Sequence, residues 1–283
     1  MLLFMVPYCI IPFGFMPACG GYDVTCVSVT HDARNGIIAR MANLESIARL
    51  AELDGVLLVD KPVNISSHDL IKAVKQYFNL VKVGHGGTLD PNATGLLVVL
   101  LGNATRLSAD LMGSDRTYSG VLRLGRDTNT FDREGETVAE KPFDGVTRER
   151  FDEVVRKEFL GDSFQKPPAF SVIKMPAHPT YDIVRTAEES ERVDRLVHVY
   201  RFAVTDFAPP RVAFEMSCTK GTMPRVLAHD IGQALGCGAS LDELRRTRCG
   251  KFSIENAIGF MDLLKLDAPG FRARVIPMSE VGR

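Results

Sequence analysis

Residues 84–102, GHGGTLDPNATGLLVVLLG, mount one carboxylate, Asp90, on a glycine-rich turn directly ahead of an apolar run. A carboxylate held rigid by Pro91, and open to close approach because Gly84, Gly86 and Gly87 lack side chains, can act as nucleophile or general base. The same residues also make an ordinary Asp-Pro turn, a common loop element. A phosphate cradle would need the Lys-Ser/Thr of a P-loop, which the stretch lacks. Four other places carry candidate chemistry. Arg225 follows CTKGTMP just inside a helix start, either as a solvated end charge or facing a specific partner, since a cation there opposes the macrodipole. Tyr118 lies in a strand, where an ordinary half-buried aromatic would sit. His85, between glycines, reads as exposed, a plain loop histidine or a ligand contact. Arg245, Arg246, Arg248 and Lys251 form the only dense basic cluster, LRRTRCGK, fit for a solvated face or for phosphate contact.

The chain around these residues has 283 positions, 45% hydrophobic and 24% charged, with a net charge of −1. That is the composition of an ordinary globule with no basic coat, although a local basic groove remains open to it. The 6 cysteines form no CxxC pair, which points to free thiols in a reduced cytosol and away from a zinc site. No charge precedes Asp23, and Pro7, Pro12 and Pro17 interrupt the apolar start. This is neither a signal peptide with a positive n-region nor a membrane span of about 20 apolar residues. From Met41 the pattern becomes helical, with Asn43 as cap and Leu44, Ile47, Ala48 and Ala51 on one face. Residues 1–42 therefore read as an extension, disordered or added by an over-long start, with a targeting or interaction segment as the rival reading. Residues 43–283 read as one domain.

The elements that must position the candidates follow from periodicity. Residues 55–61 are predicted as a strand, 62–67 as a loop, and a helix capped by Ser66 or Ser67 runs to about Phe78 with Leu70, Ile71, Val74 and Phe78 inward. A strand over 96–101, a helix over 103–112 and a strand over 117–124 come next. Thr147 caps a helix to Leu160 with Phe151, Val154, Val155 and Phe159 inward, closed by Gly161. The proline-punctuated stretch 164–185 reads as a surface excursion. Strands over 196–205 and 211–219 flank Pro209-Pro210, and a helix over 222–235 ends at Gly236 with Pro224 in its first turn. Without a βαβ rhythm, the expected class is α+β: a mixed, largely antiparallel sheet with flanking helices and a central cleft.

Taken together and in order, GVLLVDKPVNISSHD, VGHGGTLDPNATGLL, TYSGVLRLG, KPPAFSVIKM, YDIVR, CTKGT, LAHDIGQALGCGA and LRRTRCGKF resemble the TruB family of tRNA pseudouridine synthases over residues 55–258. The resemblance implies that Asp90 is the nucleophile and that Tyr118 stacks on the flipped base and acts as base at C5. It implies that Arg225 pairs with Asp90 and that His85 fills the gap left in the RNA stack. Lys61 and Pro62 would support the active-site loops, and Leu244, Arg245 and Arg246 would close over the substrate. An insertion near 164–192 would cover the tRNA T-loop. The implied reaction is isomerisation of the T-loop uridine, position 55, by a cytoplasmic monomer with no metal or other cofactor and no membrane or protein partner. Base extrusion costs a few kcal/mol, against which stacking on Tyr118 would return roughly 1–3 kcal/mol. The chain departs from the family at Met223 and Pro224 (usually Tyr and Ile), at Asn64 (Gly), at Asn129 (Asp) and at Ala177 (Gly). Residues 259–283 are too few for the PUA domain common in bacterial members. Two other readings compete: a non-catalytic tRNA-binding or tRNA-folding relative, and a glycosidase-like hydrolase, which would need a second carboxylate as acid.

Overall fold

Three strands open the structure, a computed structural model that describes residues 50, 53–166 and 194–281: β1 (Gly55–Lys61), β2 (Val83–His85) and β3 (Thr94–Leu101). β3 is apolar without alternation because both of its faces are buried. Leu97, Val99 and Leu101 join one core cluster, and Leu96, Val98 and Leu100 join another. β1 divides in the same way, Leu57 and Val59 to the first and Val56 and Leu58 to the second. Helix α1 (Ser67–Tyr77) covers the first cluster with Leu70 and Val74; its N-cap is Ser66, whose hydroxyl accepts from the Asp69 N–H at 3.0 Å.

The chain continues through helix α2 (Ser108–Met112), preceded by 3-10 turns over Gly102–Leu107, then β4 (Arg116–Leu124) and the hairpin β5 (Arg126–Thr128) and β6 (Thr137–Glu140). Helix α3 (Arg148–Val154) is capped by Thr147 as expected, but beyond Val154 it widens by a turn to Phe159. Next come β7 (Gly161–Gln165), β8 (Arg195–Ala208), β9 (Arg211–Cys218), helix α4 (Pro224–Leu235) and β10 (Ala239–Cys249). Short elements finish it: β11 (Phe252–Ser253), β12 (Ile258–Gly259), α5 (Phe260–Leu263), α6 (Ala268–Arg274), β13 (Val275–Ile276) and α7 (Met278–Val281). Among the described residues one sheet of 11 strands runs β12-β1-β3-β10-β4-β9-β8-β7, with β2, β11 and β13 attached to β3, β10 and β1. Only β1–β12 and β3–β10 pair in parallel, so the class is the expected α+β with a largely antiparallel sheet. A third cluster, with Phe151, Phe214, Met216, Leu227 and Ile231, lies between the β4–β9 half of the sheet and helices α3 and α4.

Several expectations change. The basic run lies in β10, a central strand of the sheet, as far as Cys249, so its side chains there alternate between environments and do not share one solvated face. The surface excursion starts later than 164, because Phe164 and Gln165 pair with Leu196 and Arg195 as part of β7. Its residues 167–185, the helix expected from Asn43 through residue 49, and residues 1–42 lie outside the described residues. The helix expected from 222 starts at Pro224 and ends, as read, at Gly236 with φ +83°. Asn64 has φ +64°, the left-handed conformation for which Asn is the best replacement of Gly.

Gly95 is the point where the strands crowd most. It pairs with Lys61 of β1 and Arg246 of β10, has φ +99°, and a Cβ there would collide with the main-chain O and N of Arg246. Gly95→Ala is expected to lose on the order of 3 kcal/mol of stability. Urea denaturation checks this; a midpoint equal to that of the parent would contradict the crowding.

Candidate active site

Asp90 stands on the turn that leads into β3, and the turn is tied to the rest of the protein from several directions. Ser67 contributes a hydroxyl that donates to the Leu89 C=O at 3.0 Å and accepts from the Leu89 N–H at 2.9 Å. The Pro91 C=O accepts from the Asn64 N–H at 2.9 Å and from Lys61 Nζ at 3.1 Å. Lys61, fully buried, also donates to the carbonyls of Pro62 at 3.0 Å and Ile65 at 2.8 Å. The first loop and the Asp90 turn are thus one hydrogen-bonded unit around one ammonium. From the other side, Arg246 donates to the carbonyls of Leu96 at 2.8 Å, Gly87 at 3.1 Å and Thr88 at 3.4 Å. These bonds fix the main chain while the Asp90 side chain keeps 40% of its surface in solvent.

The carboxylate faces a guanidinium. Arg225 Nε lies 3.8 Å from Asp90 Oδ2, and Nη1 lies 3.7 Å from Asp132 Oδ2, so one cation bridges two acids. At an effective dielectric constant of 20, charges about 4 Å apart attract by about 4 kcal/mol. Arg225 reaches this place in the first turn of α4, where the helix dipole disfavours it, and the two acids offset that cost. Asp132 is 8% exposed at its side chain and accepts from Thr130 Oγ1 at 2.7 Å and the Glu134 N–H at 3.0 Å. Sequence reading missed Asp132, because nothing in its local pattern differs from a solvated hairpin acid. Tyr118, on β4, is 5% exposed; burial pushes its phenol above the ordinary value, and the charge of Arg246 pulls the other way.

The remaining site residues are placed as follows. His85 is half-buried at the end of β2 and not an exposed loop residue: its Nδ1 accepts from the Gly87 N–H at 3.2 Å, folding the ring onto the glycine turn. Arg246, expected at the RNA surface, has 0% exposure; it braces the turn and has no surface left for phosphate. Arg245 makes a bidentate pair with Asp60, at 3.0 and 2.6 Å, and Leu244 packs against the third core cluster. Arg248 and Lys251 are the exposed members of the basic run. Asp90, Arg225, Tyr118, Lys61, His85 and Arg246 therefore meet around one turn, while Leu244 and Arg245 flank it. Cys218, Cys237 and Cys249 are free and buried, and no group of three or more His, Cys, Asp or Glu able to hold a metal occurs among the described residues. Among the same residues no helix is long and apolar enough to cross a membrane.

The site thus sets the Asp90 carboxylate on a braced turn, with Arg225 beside it and a buried tyrosine on the next strand in sequence. A solved Cbf5-Nop10-Gar1 complex contains a chain 32% identical to this one with a TM-score of 0.63; the match covers 83% of this chain and 63% of that one. The model of the TruB family pseudouridylate synthase N-terminal domain matches residues 75–223, and that of the tRNA pseudouridylate synthase B C-terminal domain matches residues 225–281. The chain is 42% identical to tRNA pseudouridine synthase B of Opitutus terrae, over 80% of this chain and 94% of that protein. It is 41% identical to the protein of the same name from Dechloromonas aromatica, over 80% and 75%. The chain belongs to the TruB family, enzymes that isomerise uridine to pseudouridine in tRNA.

Burial pushes the Lys61 ammonium down to about 8, with Asp90 opposing and Arg246 adding to the shift. Below that pH the ammonium has a proton for each of its three carbonyls; above it one carbonyl loses its donor. Because the unfolded chain binds more protons between about 8 and 10.5, this group's contribution to stability rises over that range. Slower conversion above pH 8 would therefore reflect a loosened turn and not unfolding caused by Lys61. Single-turnover rates are expected to fall as pH rises through about 8. Lys61→Met should be slow at every pH and lack that limb; a limb that persists in the variant would assign it to another group.

Proposed function

We propose that the chain converts the T-loop uridine of tRNA, position 55, to pseudouridine, with Asp90 as nucleophile. The observation that supports this most is the Asp90 carboxylate itself, solvent-open on a turn whose main chain is held by Lys61, Ser67, Asn64 and Arg246 and paired with Arg225. The target base must leave the RNA stack to reach it. A carboxylate oxygen of Asp90 attacks C1′ of the ribose, and the C1′–N1 bond breaks with its electron pair leaving on uracil. The detached base turns, C5 bonds to C1′ as the carboxylate departs, the C5 proton is lost, and N1 gains a proton. Atoms and charge balance without an added reagent.

Arg225 neutralises the carboxylate before attack and after release, a preorganised electrostatic role. Tyr118 offers its ring as a stacking platform. Burial keeps its phenol protonated, so to act as base at C5 it first passes that proton to N1, and Arg246 favours the phenolate that then takes the C5 proton. His85, beside the glycine turn, is placed to fill the stack where the base departed. β7 and β8 frame the insertion read over 164–192, and we assign it to the T-arm. Recognition of loop shape and backbone, the usual mode for RNA, fits a chain of net charge −1 in a cytoplasmic monomer.

Incubation with an unmodified tRNA transcript, followed by pseudouridine mapping, tests the reading. The wild type is expected to convert the T-loop uridine. Asp90→Asn should be inactive yet bind the transcript with parental affinity; conversion by Asp90→Asn at the wild-type rate would remove Asp90 as nucleophile. Binding without conversion by the wild type on any tRNA would favour the tRNA-folding reading.

A further inference from the structure

Gln165 closes β7 and is 3% exposed. Both ends of its carboxamide go to a single residue on another element. Oε1 accepts from the Met223 N–H at 2.8 Å, and Nε2 donates to the Met223 C=O at 3.3 Å. Met223 is the N-cap of α4, and its side chain makes no capping bond, because a thioether is not the short acceptor that a helix start prefers. Its carbonyl also accepts from the Leu227 N–H at 3.1 Å, the first bond of the helix. The start of α4 is thus set by a carboxamide 58 residues away in sequence and not by its own cap. Arg225 sits two residues after Met223, behind Pro224, in the same turn.

Nothing in α4 itself would keep the guanidinium there, since the positive end of the helix disfavours a cation. Its distances to Asp90 and Asp132, 3.8 and 3.7 Å, lie at the outer range of an ion pair, so small shifts of the first turn would break one or both. We propose that Gln165 is a positioning residue for Arg225: by holding both main-chain polar groups of Met223 it decides where α4 begins, and so where the guanidinium stands between the two acids. The inference rests on the reading of Asp90 and Arg225 as the reacting pair, and it gives Gln165 no contact with substrate. It also gives position 223 a main-chain task that Met performs as well as Tyr.

The test joins kinetics to a probe that needs no RNA. Gln165→Ala is expected to slow single-turnover pseudouridine formation about 10- to 100-fold, the usual consequence of misplacing a reacting group by about 1 Å. The dissociation constant for tRNA should stay at the parental value. Gln165→Glu keeps an acceptor for the Met223 N–H but loses the donor, and should recover part of the rate. In an Arg225→Lys background, Gln165→Ala should cost nothing further, because the two residues act through one geometry. The Arg225 Nε–H resonance in NMR spectra, assigned by its loss in Arg225→Lys, should move in Gln165→Ala without substrate. A parental rate with an unmoved resonance overturns the proposal, as does a full additional loss in the Arg225→Lys background. Should the wild type convert no tRNA, the functional reading falls while the resonance still decides the positioning role.

Discussion

The Arg246 guanidinium is the interaction on which the site depends. A fully buried cation costs several kcal/mol unless its protons find partners. Here they find the carbonyls of Leu96, Gly87 and Thr88, and the charge lies close enough to act on the Tyr118 phenol. One side chain therefore joins the glycine turn, the start of β3 and the tyrosine of β4. Its position follows from register: Arg246 lies opposite Tyr118 on one side and Gly95 on the other. Gly95 lets the backbones approach closely enough for the guanidinium to reach past β3 into the turn. Lys61 does the complementary task from β1, and between them the main chain on both sides of Asp90 is held while its side chain stays open.

That construction surrounds one exposed carboxylate with buried or nearly buried cations. Lys61 and Arg246 have 0% exposure and the Arg225 side chain 13%. Charges removed from water act on Asp90, and on any phosphate brought near it, more strongly than surface charges do. A net charge of −1 for the whole chain is no obstacle to an RNA substrate when the local field at the site is made this way. Asp132 is part of the same balance. It shares Arg225 with Asp90 and keeps the guanidinium from belonging wholly to that carboxylate.

Much of the frame was legible locally. Ser66 or Ser67, Thr147 and Gly236 mark helix ends, and the apolar run over 96–101 marks a strand, because capping and periodicity act over a few residues. The basic run LRRTRCGK misled for the same reason. Its composition suits a solvated or phosphate-binding face, but strand pairing on both sides of β10 divides it between a buried brace, an ion pair with Asp60 and the surface. His85 misled in a smaller way, since flanking glycines suggest exposure and only the β2–β3 pairing shows the ring turned onto Gly87.

The sequence by itself determined the ordered blocks that mark the TruB family, the α+β class, and Asp90, Tyr118 and Arg225 as the residues to watch. Such blocks are contiguous, and their residue types are read directly. Only the tertiary structure decided that Arg246 supports the site from within, that Asp132 shares Arg225, and that Gln165 holds the start of α4. These are contacts between residues 58 to 159 positions apart, or, for Asp132 and Arg225, between a hairpin and a distant helix. No local pattern records them, because they exist only once the sheet has brought its strands into register.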